Sequence, residues 1–375
     1  RILGDVMLDC WIQGDARRIS PEAPVPVLLG QNQKNTLGGA ANLAANLKQY
    51  NCELHLYGAW DEHQMVDSLC QKNNIPFTRF NHTTTIKSRF INQCGQQLLR
   101  WDQEVFYPSD KPFKALLNDT QSGDYICLSD YHKGAIKAGM CQQLSQRTPY
   151  IFVDPKQPFE TYQQAYLVKP NKKEFETFFD VLTIEHAKQA LNTYQWQYLA
   201  ITLSEDGLLL VGPNEHYHLT QKQIDVADVT GAGDVVLATL AHLVSQGLPI
   251  KKAAEQAIFM AQKTVQHRGT CLIDPTLIKP NTIFTNGCFD VLHPGHLALL
   301  QFAKKQGHHL IVGLNTDNSI KRLKGPHRPY FPEAKRKAML EALECVDEVI
   351  LFEEDTPLSL IQKIQPDVII KGGDY

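Results

Sequence analysis

The chain has 375 residues, 43% hydrophobic and 21% charged, and 37 Lys and Arg against 40 Asp and Glu give a formal net charge of −3. That length predicts two domains, the composition excludes disorder and fibrous repeats, and the near-neutral balance gives no basis for binding nucleic acid. No apolar stretch, Val235 to Leu243 included, is long enough for a bilayer span, and nine scattered cysteines without C-x-x-C spacing predict a reduced, cytoplasmic protein with no membrane attachment.

From the N-terminus, β-branched runs alternate with amphipathic helical patterns, which predicts α/β architecture with mainly parallel strands. The opening Arg1-Ile-Leu-Gly-Asp enters a strand-and-turn pattern at once, so a clipped first strand and no secretory leader are expected. Strands are predicted at 53–57, 125–128, 150–153, 166–168 and 198–202, with helices at 40–50, 64–73, 136–145 and 184–193. Residues 85–100 alternate about a Cys94-Gly95-Gln96 turn, predicting a hairpin flap beside the main sheet. Ser204-Glu-Asp-Gly207 marks a second tight turn. The pattern breaks between Asp274 and Asn281, which sets domains at 1–274 and 283–375 with a short, incomplete linker at 275–282.

The sharpest chemical signal is Asp228-Val-Thr-Gly-Ala-Gly-Asp234, followed by an apolar helix closed by Gly247. Gly231, Ala232 and Gly233 form the turn that opens this helix, where free N–H groups and the helix dipole favour an anion. A carboxylate at Asp234 would repel a phosphate it was meant to bind. As a base, it can take the proton of a hydroxyl attacking a phosphoryl group held in that pocket. The competing reading is an ordinary glycine turn with Asp234 favoured by the dipole; no Walker A sequence occurs. Three more segments add context. Gly4-Asp-Val-Met-Leu-Asp9 places Asp9 just past the first strand, and Gly38-Gly-Ala-Ala-Asn42 opens a helix with a polar side chain. Lys169-Pro-Asn-Lys-Lys-Glu174 sets an Asn and an acid three apart, able to position Mg²⁺ through water.

In this order the segments resemble the ribokinase-like (PfkB) carbohydrate kinases over about residues 1–274. The resemblance implies a three-layer α/β domain with a β flap, ATP as co-substrate and Asp234 as catalytic base. It implies Gly231, Ala232 and Gly233 as the anion hole, and Asp9, Gly39 and Asn42 on the sugar hydroxyls. Asn171 with Glu174 would lie near Mg²⁺ and the ATP phosphates, Ser204 to Gly207 beside the nucleotide, and two copies would pair through the flap as a homodimer. Segment 257–268 departs from the pattern: Met260, Lys263 and His267 make it bulkier and more polar than the small-residue helix usual beside adenine.

The second block runs Ile283-Phe-Thr-Asn-Gly-Cys-Phe-Asp-Val-Leu-His-Pro-Gly-His296, a strand, a glycine turn and a helix whose first turn holds His296. Two imidazoles flanking Pro294-Gly295 can donate hydrogen bonds to a triphosphate. As a metal site the pair lacks a third ligand. The block resembles the H-x-G-H nucleotidyltransferases of the cytidylyltransferase-like superfamily. That implies a smaller Rossmann-like domain, with Thr285, Asn286 and Phe289 lining a nucleotide pocket beside His293 and His296. Lys324, Lys321 and Arg328 are cations suited to phosphate. The Ser/Thr-rich segment such domains carry is not reached by Tyr375, so a C-terminally truncated second domain is expected.

The fusion of the two resembles the bifunctional heptose kinase–adenylyltransferase family of Gram-negative bacteria, and local text from Arg18 to Val27, Leu128 to Tyr131, Phe352 to Pro357 and Lys371 to Tyr375 supports the match. It implies ATP-dependent phosphorylation of D-glycero-β-D-manno-heptose 7-phosphate at O-1. After loss of the 7-phosphate, adenylyl transfer from ATP to the heptose 1-phosphate would give ADP-heptose for the lipopolysaccharide core. An already phosphorylated sugar requires a cationic holder, and Arg18, Lys87, Arg89 and Lys156 are the candidates. The alternative is a kinase for another sugar phosphate with a degenerate, nucleotide-sensing second domain.

Overall fold

The structure is a computed structural model and describes residues 1–61, 65–220, 224, 226–266, 269–278 and 282–372. The chain divides into two compact units, Arg1–Pro275 and Thr276–Tyr375. Among the described residues no helix is long and apolar enough to cross a membrane.

In the first unit, nine strands among the described residues form one sheet. Their spatial order is His216–Leu219, Leu208–Val211, Tyr198–Thr202, Leu167–Val168, Ile151–Asp154, Ile126–Ser129, Ile2–Gly4, Leu56–Trp60 and Phe77–Asn81. The seven strands from Tyr198–Thr202 to Phe77–Asn81 run parallel. At the other edge Leu208–Val211 turns back antiparallel through the turn expected at Ser204–Gly207, and His216–Leu219 pairs antiparallel with it in turn. Nearly continuous apolar strands such as Ile126-Cys-Leu-Ser129, buried throughout, are what a sheet covered on both faces requires. On one face Phe113, Leu116, Met140, Leu144, Phe175 and Leu191 pack from helices onto Leu3, Leu128, Val153 and Leu199. Helix Ala232–Ser245 is buried almost all round, which explains its lack of a polar stripe. It packs between Ala40–Gln49 and Ile250–Val265. The three-layer expectation holds. The helix predicted at 136–145 starts only at Met140, because Gly139 takes a left-handed conformation (φ 82°) just before it.

The flap is larger than the expected hairpin. Four strands compose it, in the order Pro26–Gly39, Val6–Ile19, Thr85–Asn92 and Gln97–Gln103. Asp9 therefore lies past the first strand Ile2–Gly4, inside the long flap strand Val6–Ile19. The chain changes sheets at Asp5, whose carboxylate accepts from the N–H groups of Tyr131, Lys133 and Ala135. Period-2 alternation over 6–39 is obscured by register shifts at Gln13/Gly14 and Asp15/Arg18.

The second unit is a parallel four-stranded sheet in the order Glu348–Phe352, His309–Asn315, Thr282–Gly287 and Val368–Ile369. Leu300, Ala303 and Leu340 cover one face and Leu360 the other, giving the Rossmann-like arrangement.

Candidate active sites

Asp234 sits in the first turn of helix Ala232–Ser245, which Gly231 opens with φ 81°. Its carboxylate is 3% exposed. Oδ2 accepts from Asn42 Nδ2 at 2.7 Å, while Oδ1 is buried with no partner of ordinary hydrogen-bond geometry among the described residues. Burial first, then the charge of Asp154, raises its pKa to about 7, against the opposing Asn42 bond and Lys169 charge. A carboxylate of that pKa is half-ionised near neutrality, the condition for efficient general-base chemistry. The Tyr131 phenol lies beside it and is pushed well above its ordinary value by burial and by Asp234, Asp154 and Asp9. At the helix start the Ala232 N–H donates to Val229 O and the Val235 N–H to Gly231 O. Among the described residues the open amides of the first turn are then those of Gly233 and Asp234.

The flap supplies the wall beside Asp234. Cross-strand pairing places Asp9 opposite Thr36 and Lys87, Trp11 opposite Arg89, and Lys87 opposite Asp102, so these side chains share one face. Gly39 has φ 56°, and a Cβ there would lie 2.2 Å from Asp5 O, so only glycine turns the flap strand into helix Ala40–Gln49. The four candidate cations have different fates. Arg89 is buried, donates to Asp9 Oδ1 at 2.5 Å and stacks over Trp11. Lys156 pairs with Glu174 at 2.8 Å. Arg18 is exposed near the end of Val6–Ile19, about 30 Å along the strand from Asp9. Lys87 is half-buried over the Tyr131 ring at 4.8 Å, and burial lowers its pKa.

A cleft of about 1000 Å³ opens on the other side of the helix start, lined by Lys156, Asn171, Glu174, Ser204, Gly207, Ala232 and Gly233 among others. Asn171 caps helix Lys172–Phe179 in a reciprocal box with Glu174. Ile258, Ala261, Gln262 and Val265 face this cleft from helix Ile250–Val265. Met260 is turned into the core and Lys263 lies over Phe259, so neither lines the cleft; His267 and Arg268 lie outside the described residues. Asp130, Tyr131, Asp154 and Lys169 also line the cleft and were not singled out from sequence. Only the motif text around Tyr131 and Lys169 hinted at them.

In the second unit His293 caps helix Pro294–Gln306, its Nδ1 accepting from the His296 N–H at 3.4 Å. The two imidazoles stack at 3.8 Å, and Phe289 lies 5.0 Å from His296. Thr285 Oγ1 and Asn286 Oδ1 are buried without partners among the described residues, as befits polar groups that await a ligand. Burial first, then the charges of His293 and Lys324, lower the His296 pKa. Arg328 instead bonds Asp290 at 2.6 Å and stacks on Tyr330. Arg336, fully buried, ties this site together: it donates to Cys288 O, Asn315 O and Phe331 O and pairs with Asp317. Its position in an ordinary charged helix gave no sign of that role.

Fold and sites together define a sugar kinase joined to a nucleotidyltransferase. The pfkB family carbohydrate kinase profile matches residues 2–277 and the cytidylyltransferase-like profile residues 284–375. Bifunctional protein HldE of Helicobacter pylori (strain P12) is 36% identical over 419 residues, spanning 100% of this chain and 91% of that protein. Its counterpart in Haemophilus ducreyi is 37% identical over 422 residues, spanning 100% and 89%. Among solved structures, phosphofructokinase-2 of Escherichia coli shares the fold with a TM-score of 0.62 at 15% identity over 72% of this chain and 94% of that one. Ribokinase of Thermotoga maritima does so at 0.59 and 19% over 73% and 95%. The chain belongs to the bifunctional HldE family of kinase–nucleotidyltransferase enzymes, with ATP as co-substrate.

Proposed function

We propose that the first unit phosphorylates O-1 of D-glycero-β-D-manno-heptose 7-phosphate and that the second transfers AMP from ATP to heptose 1-phosphate, giving ADP-heptose for the lipopolysaccharide core. One observation carries the kinase step: Asp234 holds one oxygen on Asn42 and keeps the other buried, beside the Tyr131 phenol and without a partner of ordinary hydrogen-bond geometry among the described residues, at the opening of an anion-favouring helix. The anomeric hydroxyl gives its proton to Asp234 as its oxygen attacks the γ-phosphorus. The amides of Gly233 and Asp234 hold the phosphoryl oxygens, with Ala232 and Gly231 shaping the turn. Asp9, Gly39 and Asn42 orient the sugar, and Lys87 is the best-placed holder of the distal phosphate, since Arg89 and Lys156 already carry carboxylate partners.

Mg²⁺ would offset the phosphate charge. Among the described residues no three His, Cys, Asp or Glu are placed to hold a metal, and Glu174 is already engaged by Asn171 and Lys156. Those donors fit an ion carried by nucleotide phosphates and water, with Glu174 reached through water. In the second unit the sugar phosphate is already anionic and needs no base. His293, His296 and Lys324 act there by positioning and charge stabilisation, with Thr285, Asn286 and Phe289 on the nucleotide.

The kinase with a degenerate second domain is the weaker reading, because the relatives span both units. A homodimer through the flap is favoured by its outer face, where Ile12, Phe90, Leu99 and Trp101 lie opposite to Asp9, the last two more than half exposed. Nine free thiols suit a reducing cytoplasm. Mass-spectrometric analysis of products from ATP, Mg²⁺ and a panel of hexose and heptose phosphates tests the substrate. A clear preference for a hexose phosphate would overturn it.

A further inference from the structure

The Asp5 carboxylate, 5% exposed, gathers the backbone N–H groups of one loop. Oδ2 accepts from Tyr131 at 2.8 Å and from Lys133 at 3.0 Å, and Oδ1 accepts from Ala135 at 3.1 Å. Asp5 is itself fixed through its backbone, its N–H donating to Ser129 O at 3.1 Å and its carbonyl accepting from the Ala40 N–H at 3.0 Å. Within the loop His132 takes φ 58° and Gly134 φ 102°, and a Cβ on Gly134 would lie 2.4 Å from Tyr107 O. A non-glycine residue in the left-handed region costs energy and persists where its surroundings over-determine it. The far end of the flap adds to that grip. The Tyr107 N–H donates to Lys133 O at 2.6 Å, and Lys133 Nζ meets Glu104 at 2.6 Å. Chain entering the flap at Asp5 and chain leaving it at Glu104 to Tyr107 therefore hold the same loop.

What the loop carries into the site is Tyr131, whose phenol lies beside Asp234 and whose ring lies under the Lys87 ammonium. We propose that Asp5 is a positioning residue of the kinase reaction, its carboxylate holding loop 131–135 so that the Tyr131 phenol donates to the catalytic base. The proposal rests on the kinase reading above. Asp5 touches no reacting atom and acts through Tyr131 alone. A phenol donating to Asp234 favours the ionised base. A carboxylate oxygen accepts more than one hydrogen bond, so the sugar hydroxyl can still be received. The other groups that act on Asp234 come from separate elements: Asn42 from the helix after the flap, Asp9 with its partner Arg89 from the flap, and Asp154 and Lys169 from the strand ends. Among the described residues none of these bonds to Asp5.

The test is steady-state kinase kinetics of the full chain against pH, in a double-mutant cycle of Asp5→Asn and Tyr131→Phe. Asp5→Asn turns an amide N–H toward the loop's own N–H groups and should lower kcat by about 10- to 100-fold, with the KM for ATP changed less than about threefold. The acid limb of its kcat/KM profile should move to higher pH, as should that of Tyr131→Phe, whereas mere loss of a negative charge at Asp5 would move it to lower pH. The double variant should stay within about threefold of the slower single variant, because the second change finds the phenol already displaced. Asp5→Asn within about threefold of wild-type kcat, a limb that stays or moves down, or losses that multiply in the double variant, overturns the proposal. Should Asp5→Asn not fold, Asp5→Glu, which shifts the same carboxylate by one methylene, is judged by the same three readouts. An inactive Asp234→Asn beside a near-normal Asp5→Asn rejects Asp5 alone, whereas a wild type inactive on every sugar phosphate rejects the kinase reading and this role with it.

Discussion

Asn42 and Asp234, 192 positions apart in the chain, meet through a 2.7 Å bond in which the amide donates to Oδ2. That bond opposes the burial that raises Asp234 to about 7. A base must be ionised to act, so the kinase rate should climb as pH rises through about 7. Asn42→Ala removes the opposing bond and should shift the climb upward. Asp234→Asn should lower kcat by at least about 1000-fold with ATP binding little changed. Rate–pH profiles and calorimetric ATP titration check both, and turnover near wild type in Asp234→Asn would falsify the base role.

The same carboxyl costs the fold stability. Its folded pKa of about 7 exceeds the ordinary 3.8, so between these values the native state binds a proton that the unfolded chain has released. Stability from this group is full below about 4 and is lost as pH rises through about 7. Asp234→Asn escapes the loss. It should melt at the same temperature as wild type near pH 4 and be more stable at pH 8, by up to about 4 kcal/mol. Differential scanning calorimetry at the two pH values measures it; equal melting at pH 8 refutes the shifted carboxyl.

Arg89 and Lys87 stand two residues apart on one flap strand, yet their removal should differ in kind. Arg89→Met strands the buried Asp9 carboxylate and should destabilise the kinase unit by about 3–5 kcal/mol. Lys87 has no carboxylate within ion-pair distance among the described residues, so Lys87→Met should raise the KM for the phosphorylated sugar tenfold or more with melting unchanged. Urea unfolding and substrate titration separate the two. A stable Arg89→Met, or a Lys87→Met with normal KM, contradicts these assignments.

Much of this architecture was legible because its signals are local. Gly231 to Asp234 combines a glycine turn with a helix start, and the strands Ile126–Ser129, Ile151–Asp154 and Tyr198–Thr202 are short apolar runs bounded by turns. The long flap strands were not. Val6–Ile19 carries Asp9, Gln13, Asp15 and Arg18 on a surface facing substrate or solvent, and its bulges break the alternation a reader of sequence depends on. Residue type marked Arg18, Lys87, Arg89 and Lys156 equally as phosphate holders. Only the folded chain shows that Arg89 meets Asp9 across the flap sheet and that Lys156, in a loop, meets Glu174 on a helix. Lys169 was hidden for a related reason, since its partner Asp154 is on another strand.

The two outer aromatic and aliphatic side chains of the flap, Trp101 and Leu99, are 53% and 58% exposed on the face away from Asp9. Burial of that face between two copies would remove an apolar patch from water. Trp101→Glu would place a charge inside such a contact at high desolvation cost. The wild type should elute as a dimer and the variant as a monomer, with kinase turnover per chain reduced less than tenfold because Asp9 lies on the opposite side of the flap sheet. Multi-angle light scattering decides the matter. A monomeric wild type, or a Trp101→Glu that remains dimeric, removes the flap as the interface.

The paired imidazoles of the second unit lead to the last expectation. His296 is held below its ordinary pKa by burial and by His293 and Lys324, so it is mostly neutral near pH 7 before ATP arrives. A triphosphate beside the pair would favour the charged form, and ATP binding should draw protons from solution. Measured binding enthalpy at pH 7 should therefore vary with the ionisation enthalpy of the buffer. His296→Ala should remove that dependence, stop AMP transfer and leave the kinase rate within twofold of wild type. Loss of both activities together would show that the substitution had damaged the chain and not the site, whereas retained AMP transfer would exclude His296 from the reaction.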